Sequence, residues 1–266
     1  MNNKDRLRRI VRKVLSKKLY RLGADILNPV SVILKHGFGV YRTLFSPIKE
    51  CEQYRFVQFR NCKLPVKFRP STSDVNTLVQ NIVREEYGKI RADLNPKLII
   101  DGGGYIGDLA IYFANRFPAA KIITLEPNPE SYALACENLA GYGERVEILN
   151  HGLWSEAKIL SFSDEFTGSK ISEDDQAHKI SCIGIQDLIE KYNISEIDVL
   201  KLDIEGAEEE VLTEKSSEWL NITKLIIVEF HGESIENNTT QYLNSMGFKG
   251  FGYRSLHYFY NQNYVA

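Results

Sequence analysis

Two groups of residues in this 266-residue chain have the types and spacing to do chemistry. The first is Asp101-Gly102-Gly103-Gly104-Tyr105-Ile106-Gly107, which follows the apolar run Leu98-Ile99-Ile100 and is answered by Glu126 after the next apolar run. Glycines at such a place let the backbone turn sharply and approach a ligand closely. Gly102, Gly104 and Gly107 satisfy G-x-G-x-x-G, so the loop by itself fits a dinucleotide as well as an adenosyl sulfonium. Its neighbours discriminate. Asp101 offers a carboxylate that suits a ligand ammonium and repels a pyrophosphate. Glu126 can accept both hydroxyls of a ribose. Two carboxylates around one glycine loop favour S-adenosylmethionine, with Asp101, Gly103, Gly104, Tyr105, Gly107 and Glu126 expected on the cofactor. The bland alternative is a conformational turn in which Asp101 caps the next helix and Glu126 is solvated.

The second group is Asp203-Ile204-Glu205-Gly206, at the end of the apolar segment 199–202. Two carboxylates one residue apart can orient an acceptor hydroxyl, hold a divalent cation or position an ammonium; they can equally cap the following helix. Asp203 is expected at the reacting centre, and on the cofactor too, with Glu205 beside it. A later strand ends in Glu229-Phe230-His231, and a histidine there can accept the proton lost by a hydroxyl nucleophile. Asp203, Glu205 and Glu229 with His231 would also make a magnesium site, although no metal ligand is assigned. His36, His151, His178 and His257 have no comparable surroundings. Asn150-His151-Gly152-Leu153-Trp154 follows a third strand and is expected to flank an adenine through Gly152 and Leu153.

These groups need a scaffold that brings strand ends together, and the hydrophobic pattern supplies one. Strands at 97–100, 121–125, 146–149, 197–202 and 225–230 alternate with helices at 108–116, 130–140, 185–191, 207–213 and 234–246. This is the pattern of an α/β, Rossmann-like, doubly wound and mostly parallel sheet. Aromatic-rich segments at 248–253 and 256–260 add a C-terminal antiparallel hairpin. Upstream, residues 54–60 and 64–68 read as another hairpin, and Ser73 and Asp74 can cap a helix running towards Tyr87. Residues 1–70 are therefore expected as a helical and hairpin extension, and 71–266 as the cofactor domain, with the stretch 152–179 left to loops that shape an acceptor pocket.

Leu7, Ile10, Val11, Val14, Leu15 and Leu19 recur at helical spacing among eight arginines and lysines between Arg6 and Arg21, which makes residues 4–21 a basic amphipathic helix. It can pack on the protein, on a partner or on an anionic membrane surface. A net charge of −2 gives no reason to expect nucleic acid. Four scattered cysteines suggest neither zinc nor a disulfide framework, and a cytoplasmic setting fits them. No apolar window approaches the ~18 residues of a membrane span.

From about Ser71 to Phe230 the chain resembles the FkbM family of S-adenosylmethionine-dependent methyltransferases. The resemblance is carried by Ser73-Asp74 with Glu86-Tyr87, by residues 100–107 with Leu125-Glu126-Pro127, and most specifically by residues 197–208. The family usually has valine, alanine and asparagine where Gly102, Gly104 and Tyr105 stand, so this loop is a variant. The resemblance implies a class I methyltransferase fold, O-methyl transfer, and a sugar, glycan or natural product as acceptor. Tyr87 and Asn128 are also expected on the cofactor side. The rivals are an NAD-dependent oxidoreductase using the same loop, and a catalytically silent cofactor-binding scaffold at a membrane.

Overall fold

The computed structural model describes residues 28–165, 168–172 and 178–264, which belong to two compact units parted between Arg84 and Glu85. The basic segment at 4–21 lies outside the described residues. In the first unit a helix over 28–36 is broken from α1 (Phe38–Phe45) by Gly37, whose φ of +95° a side chain rarely adopts. The hairpin expected upstream is β1 (Arg55–Val57) with β2 (Val66–Phe68), paired over three residues each. Its inward residues Val57, Val66 and Phe68 are buried. Thr72 then accepts the Asp74 amide at 3.2 Å and starts α2 (Ser73–Leu78), which continues through a wider turn over Val79–Val83.

The second unit is organised by seven strands: β3 (Leu98–Gly102), β4 (Lys121–Leu125), β5 (Val146–Leu149), β10 (Ile197–Leu202), β11 (Thr223–Glu229), β12 (Phe248–Tyr253) and β13 (Leu256–Asn261). Their order is β12-β13-β11-β10-β3-β4-β5. The five from β5 to β11 are parallel, and β13 and β12 close one edge antiparallel. Every residue of β10 is buried, as a central strand covered on both faces requires. Asp198 at its start accepts the amides of Lys97 at 2.7 Å and Leu98 at 2.9 Å, which sets the register with β3. Helices α3 (Asp108–Arg116), α4 (Pro129–Leu139), α5 (Ile185–Tyr192) and α7 (Glu233–Ser245) fall where the apolar periodicity places them, within a residue or two. The helix expected at 207–213 is shorter, only α6 (Glu208–Val211).

The stretch expected as loops is different. Between β5 and α5 lie β6 (Gly152–Leu153), β7 (Lys158–Glu165), β8 (Gly168–Ser172) and β9 (His178–Ile183), a second sheet in the order β6-β9-β7-β8. Antiparallel pairing of β7 with both β8 and β9 satisfies backbone groups that a long loop would leave to water. Among the described residues no helix is long and apolar enough to cross a membrane.

In the large sheet the chain leaves β3 for β4 on one side, and β10 enters on the other. That reversal opens a crevice beyond the carboxyl ends of β3 and β10, where doubly wound sheets bind ligands. Both groups singled out by their chemistry sit there.

Candidate active site

The loop after β3 is tied to the end of β4 before any ligand is considered. The amides of Gly103 and Gly104 both donate to the carbonyl of Leu125, at 3.0 and 2.8 Å. A Cβ on Gly103 would come 2.1 Å from the backbone oxygen of Asp203, and one on Gly104 would come 2.2 Å from Thr124 Oγ1. These glycines are therefore dictated first by the protein's own packing. Tyr105, at φ +47°, donates its amide to Glu126 Oε2 at 2.7 Å, and Asn128 donates its amide to Oε1 at 2.8 Å. Each oxygen of Glu126 keeps a second acceptor site, the arrangement that a vicinal ribose diol needs. Burial pushes this carboxyl up to about 7, against the pull of the two amides.

Asp101 does not face the crevice as an open carboxylate. It is wholly buried, accepts from Thr124 Oγ1 at 2.8 Å and lies 3.2 Å from Lys201 Nζ. Lys201 and Asp101 are direct partners across the β10–β3 ladder. The lysine ammonium also donates to the carbonyls of Gly102 at 3.0 Å and Gly103 at 2.8 Å, and stands 3.8 Å from Asp203. Burial opposes its charge, but attraction to Asp101 and Asp203 wins and raises its pKa. Lys201 thus clamps the glycine loop to the Asp203 turn. Its signal was available in the sequence: a lysine inside the apolar run of β10 demands a buried counter-ion.

The other rim carries a cluster of titrating groups around His231. Asp203 leaves β10 with its amide on the Gly102 carbonyl at 3.3 Å. Glu205 follows in a left-handed conformation, φ +54°, and Gly206 at +99° completes the turn. His231, two residues past β11, sets Nε2 3.4 Å from Glu205 and 3.7 Å from Asp203. Its Nδ1 lies 2.9 Å from Oε1 of Glu208, which is fully buried at the start of α6. Burial alone would depress the imidazole; the hydrogen bond and charge of Glu208, then Asp203 and Glu205, outweigh it and raise the pKa to about 9. Burial and the neighbouring Asp203 raise Glu205 and Glu229 above the usual carboxylate range.

The remaining expected residues divide. Leu153 is buried, with Cδ2 3.0 Å from the point where a Cβ on Gly102 would stand, so β6 backs the glycine loop. Gly152 pairs with Cys182 in the small sheet. Gly107, at φ +81°, precedes α3 and lies against Leu139. Asn128 spends its side-chain oxygen capping α4, accepting the amides of Glu130 and Ser131 at 3.0 Å each. Tyr87 is buried edge-on against Phe113, and its hydroxyl is raised well above its ordinary pKa by burial and by the charges of Asp203, Glu229 and Asp101. Thr124 and Glu208 are the participants that residue types at strand ends do not reveal.

Comparison with known proteins gives the family. The model of the methyltransferase FkbM domain matches residues 101–254, more than half of the chain and the whole distance from Asp101 to Arg254. Methyltransferase sdnD of Sordaria araneosa is 27% identical over 177 residues, covering 51% of this chain and 66% of its own length. The hexuronic acid methyltransferase AglP of Haloferax volcanii is 27% identical over 146 residues, covering 54% of this chain and 59% of its own. The chain thus spans less than two thirds of the length of these curated relatives. Among solved structures, the fibrillarin pre-rRNA processing protein of Methanococcus jannaschii superposes with a TM-score of 0.42 at 13% identity, over 82% of this chain and 87% of that one. At that likeness it is the strand order of the sheet itself that defines the fold. With the glycine loop, the Asp203 turn and strand β10 inside the matched region, the chain belongs to the FkbM family of methyltransferases.

Proposed function

We propose that the chain carries a methyl group from S-adenosylmethionine to a hydroxyl of a sugar, glycan or other natural product. The observation that supports this most is the meeting, at the switch point of the sheet, of a carboxylate suited to a ribose, Glu126, with the cluster of Asp203, Glu205 and His231. When bound, the cofactor supplies a methyl on a sulfonium, open to displacement by oxygen. Glu126 takes the ribose hydroxyls, Leu153 backs the adenine side, and Tyr87 and the close-packed backbone of the glycine loop complete the cofactor side. Asp203 orients the acceptor hydroxyl. His231 Nε2 receives its proton as the carbon–oxygen bond forms, which requires the neutral imidazole. Alignment and exclusion of water supply most of the rate.

A sugar acceptor is favoured by the name of the relative AglP, and a net charge of −2 favours no nucleic acid. Family membership sets the nicotinamide reading aside. Asp203, Glu205 and His231 bring ligand atoms within 4.8 Å of one another. Magnesium fits this set poorly, because it prefers oxygen ligands and a protonated His231 already pairs with both carboxylates. No step is assigned to it. For residues 4–21 the proposal is peripheral contact with an anionic membrane face, supported by the charge and apolar stripe of that sequence.

The test is calorimetry with S-adenosylhomocysteine followed by transfer of labelled methyl to a panel of glycosides and to host-cell extract. Binding with label in a hydroxyl ether is expected. Binding without transfer to any acceptor would favour the silent scaffold.

A further inference from the structure

We propose that Glu208 is the positioning residue of the site, holding His231 so that Nε2 alone faces the reacting centre and fixing, through the same oxygen, the turn that carries Glu205. The proposal rests on His231 being the proton acceptor. Glu208 is completely buried at the first position of α6. A carboxylate there is costly to desolvate unless it is paired and hydrogen-bonded. Its Oε1 takes the amides of Ile204 at 3.3 Å and Gly206 at 3.2 Å, and lies 2.9 Å from His231 Nδ1. Its Oε2 is buried with no hydrogen-bond partner.

The consequences follow from donor and acceptor capacity. A carboxylate can only accept, so Nδ1 must carry the hydrogen, and the second proton of the ring belongs to Nε2. Nε2 is the nitrogen nearest Glu205, at 3.4 Å, and Asp203, at 3.7 Å. The amide of Gly206 adjoins the strained Glu205, at φ +54°. One buried oxygen therefore orders a base on β11's end and a carboxylate on β10's turn, from outside the reacting centre. The charged groups acting on the ring are Glu208 from α6, Asp203 and Glu205 from the turn after β10, and Glu229 from its own strand. Glu208 is the one in hydrogen-bond contact among them.

A merely structural carboxylate would be served by any group that keeps the turn closed. Glu208→Gln keeps the acceptor oxygen and the volume and removes the charge; Glu208→Asp keeps the charge and withdraws it by one methylene. The experiment is ¹⁵N imidazole NMR of histidine-labelled protein across pH, with His231 assigned through His231→Gln. S-adenosylhomocysteine calorimetry and thermal unfolding serve as controls for folding. In the unaltered protein His231 should titrate near 9 with hydrogen on Nδ1 in its neutral form. Glu208→Gln should lower that value by at least about one pH unit and mix the tautomers. On the high-pH plateau, where the imidazole is neutral in both proteins, incorporation of labelled methyl from S-adenosylmethionine into host-cell extract should fall about tenfold or more, with S-adenosylhomocysteine affinity kept and the pH limb moved to lower pH. Glu208→Asp should restore part of the shift.

An unchanged titration and tautomer in Glu208→Gln would overturn the positioning role, even if His231→Gln abolishes transfer. A shifted titration with His231→Gln fully active would instead remove the proton acceptor, and with it the reason for positioning it. If Glu208→Gln fails to fold, the same measurements on Glu208→Asp decide: a titration identical to that of the unaltered protein sinks the proposal.

Discussion

On the β3–β4 side of the crevice every element is pinned by protein. Gly103 abuts the Asp203 carbonyl, Gly104 abuts Thr124, and Asp101 is closed off by Lys201 and Thr124 at zero exposure. On the β10–β11 side the side chains of Asp203, Glu205 and His231 keep 30%, 46% and 27% of their surface exposed. The first side is preorganised and electrically closed. The second is open and titratable. A cofactor common to every turnover calls for a rigid seat, while a group that must accept and release a proton needs access to solvent and a pKa that can move.

The sharpest way to break this contrast is at the glycines, because Gly103 and Gly206 are both at positive φ but in different surroundings. Gly103→Ala would drive a Cβ into a backbone oxygen from a φ of +86°, so loss of folded protein, or a destabilisation above about 4 kcal/mol, is expected in thermal and urea unfolding. Gly206 has a φ of +99° but nothing within 4 Å of its missing Cβ. Gly206→Ala should cost only the local strain, about 1–2 kcal/mol. Equal losses at the two positions would show that packing does not distinguish the sides.

Next in size is Lys201→Met, which joins the two sides and leaves Asp101 as a buried charge without its cation. A loss of about 3–5 kcal/mol is expected, with S-adenosylhomocysteine binding lost alongside. Adding Asp101→Asn to it should recover part of the stability, since the orphaned charge is then gone. A double variant as unstable as the sum of the singles would deny that the pair acts as a unit.

Lys201 also marks where the sequence is legible and where it is not. Strands β4, β5 and β10 and helix α3 lie at the bounds that the apolar pattern implies, because each is set by local periodicity. Glu126, Asp203 and His231 were readable as strand-end residues for the same reason. The direct pairing of Lys201 with Asp101 depends on β10 lying next to β3 across a hundred residues of chain, which no local pattern encodes. Without that partner, Asp101 looks like a ligand carboxylate. Glu208 is similarly hidden: in the run from Glu208 to Glu210 only the fold decides which glutamate turns inward. Strands β7 to β9 are hard to see in the sequence because their segments carry many polar residues and β9 pairs with β7 rather than with β8, its neighbour in the chain.

On the open side, His231→Gln should lower methyl transfer by about 10²–10⁴-fold while leaving S-adenosylhomocysteine affinity within about twofold. A parallel loss of binding would merge the two sides again. The pH dependence has a definite sign. With its pKa raised to about 9, His231 is an imidazolium at neutral pH and only its neutral form can take a proton. Transfer should therefore rise with pH from 7 towards 9, by up to about tenfold per unit at the low end, and His231→Gln should remove that limb.

The smallest effect sits on the closed side and runs through a different pH window. Glu126 is held at about 7 by burial, and the ribose contact proposed for it needs the ionised carboxylate, which accepts on both oxygens. As pH falls through 7 the acid form loses acceptor capacity, so S-adenosylhomocysteine affinity should weaken by about three- to tenfold between pH 8 and pH 6. Glu126→Gln should bind weakly and without that slope, because its amide offers one acceptor oxygen at every pH. Calorimetry at four pH values on both proteins separates this from the His231 limb, since binding should be flat above pH 8 where transfer is still climbing. A binding curve that instead follows the limb near 9 would place His231, not Glu126, on the cofactor side and reverse the assignment of the two halves.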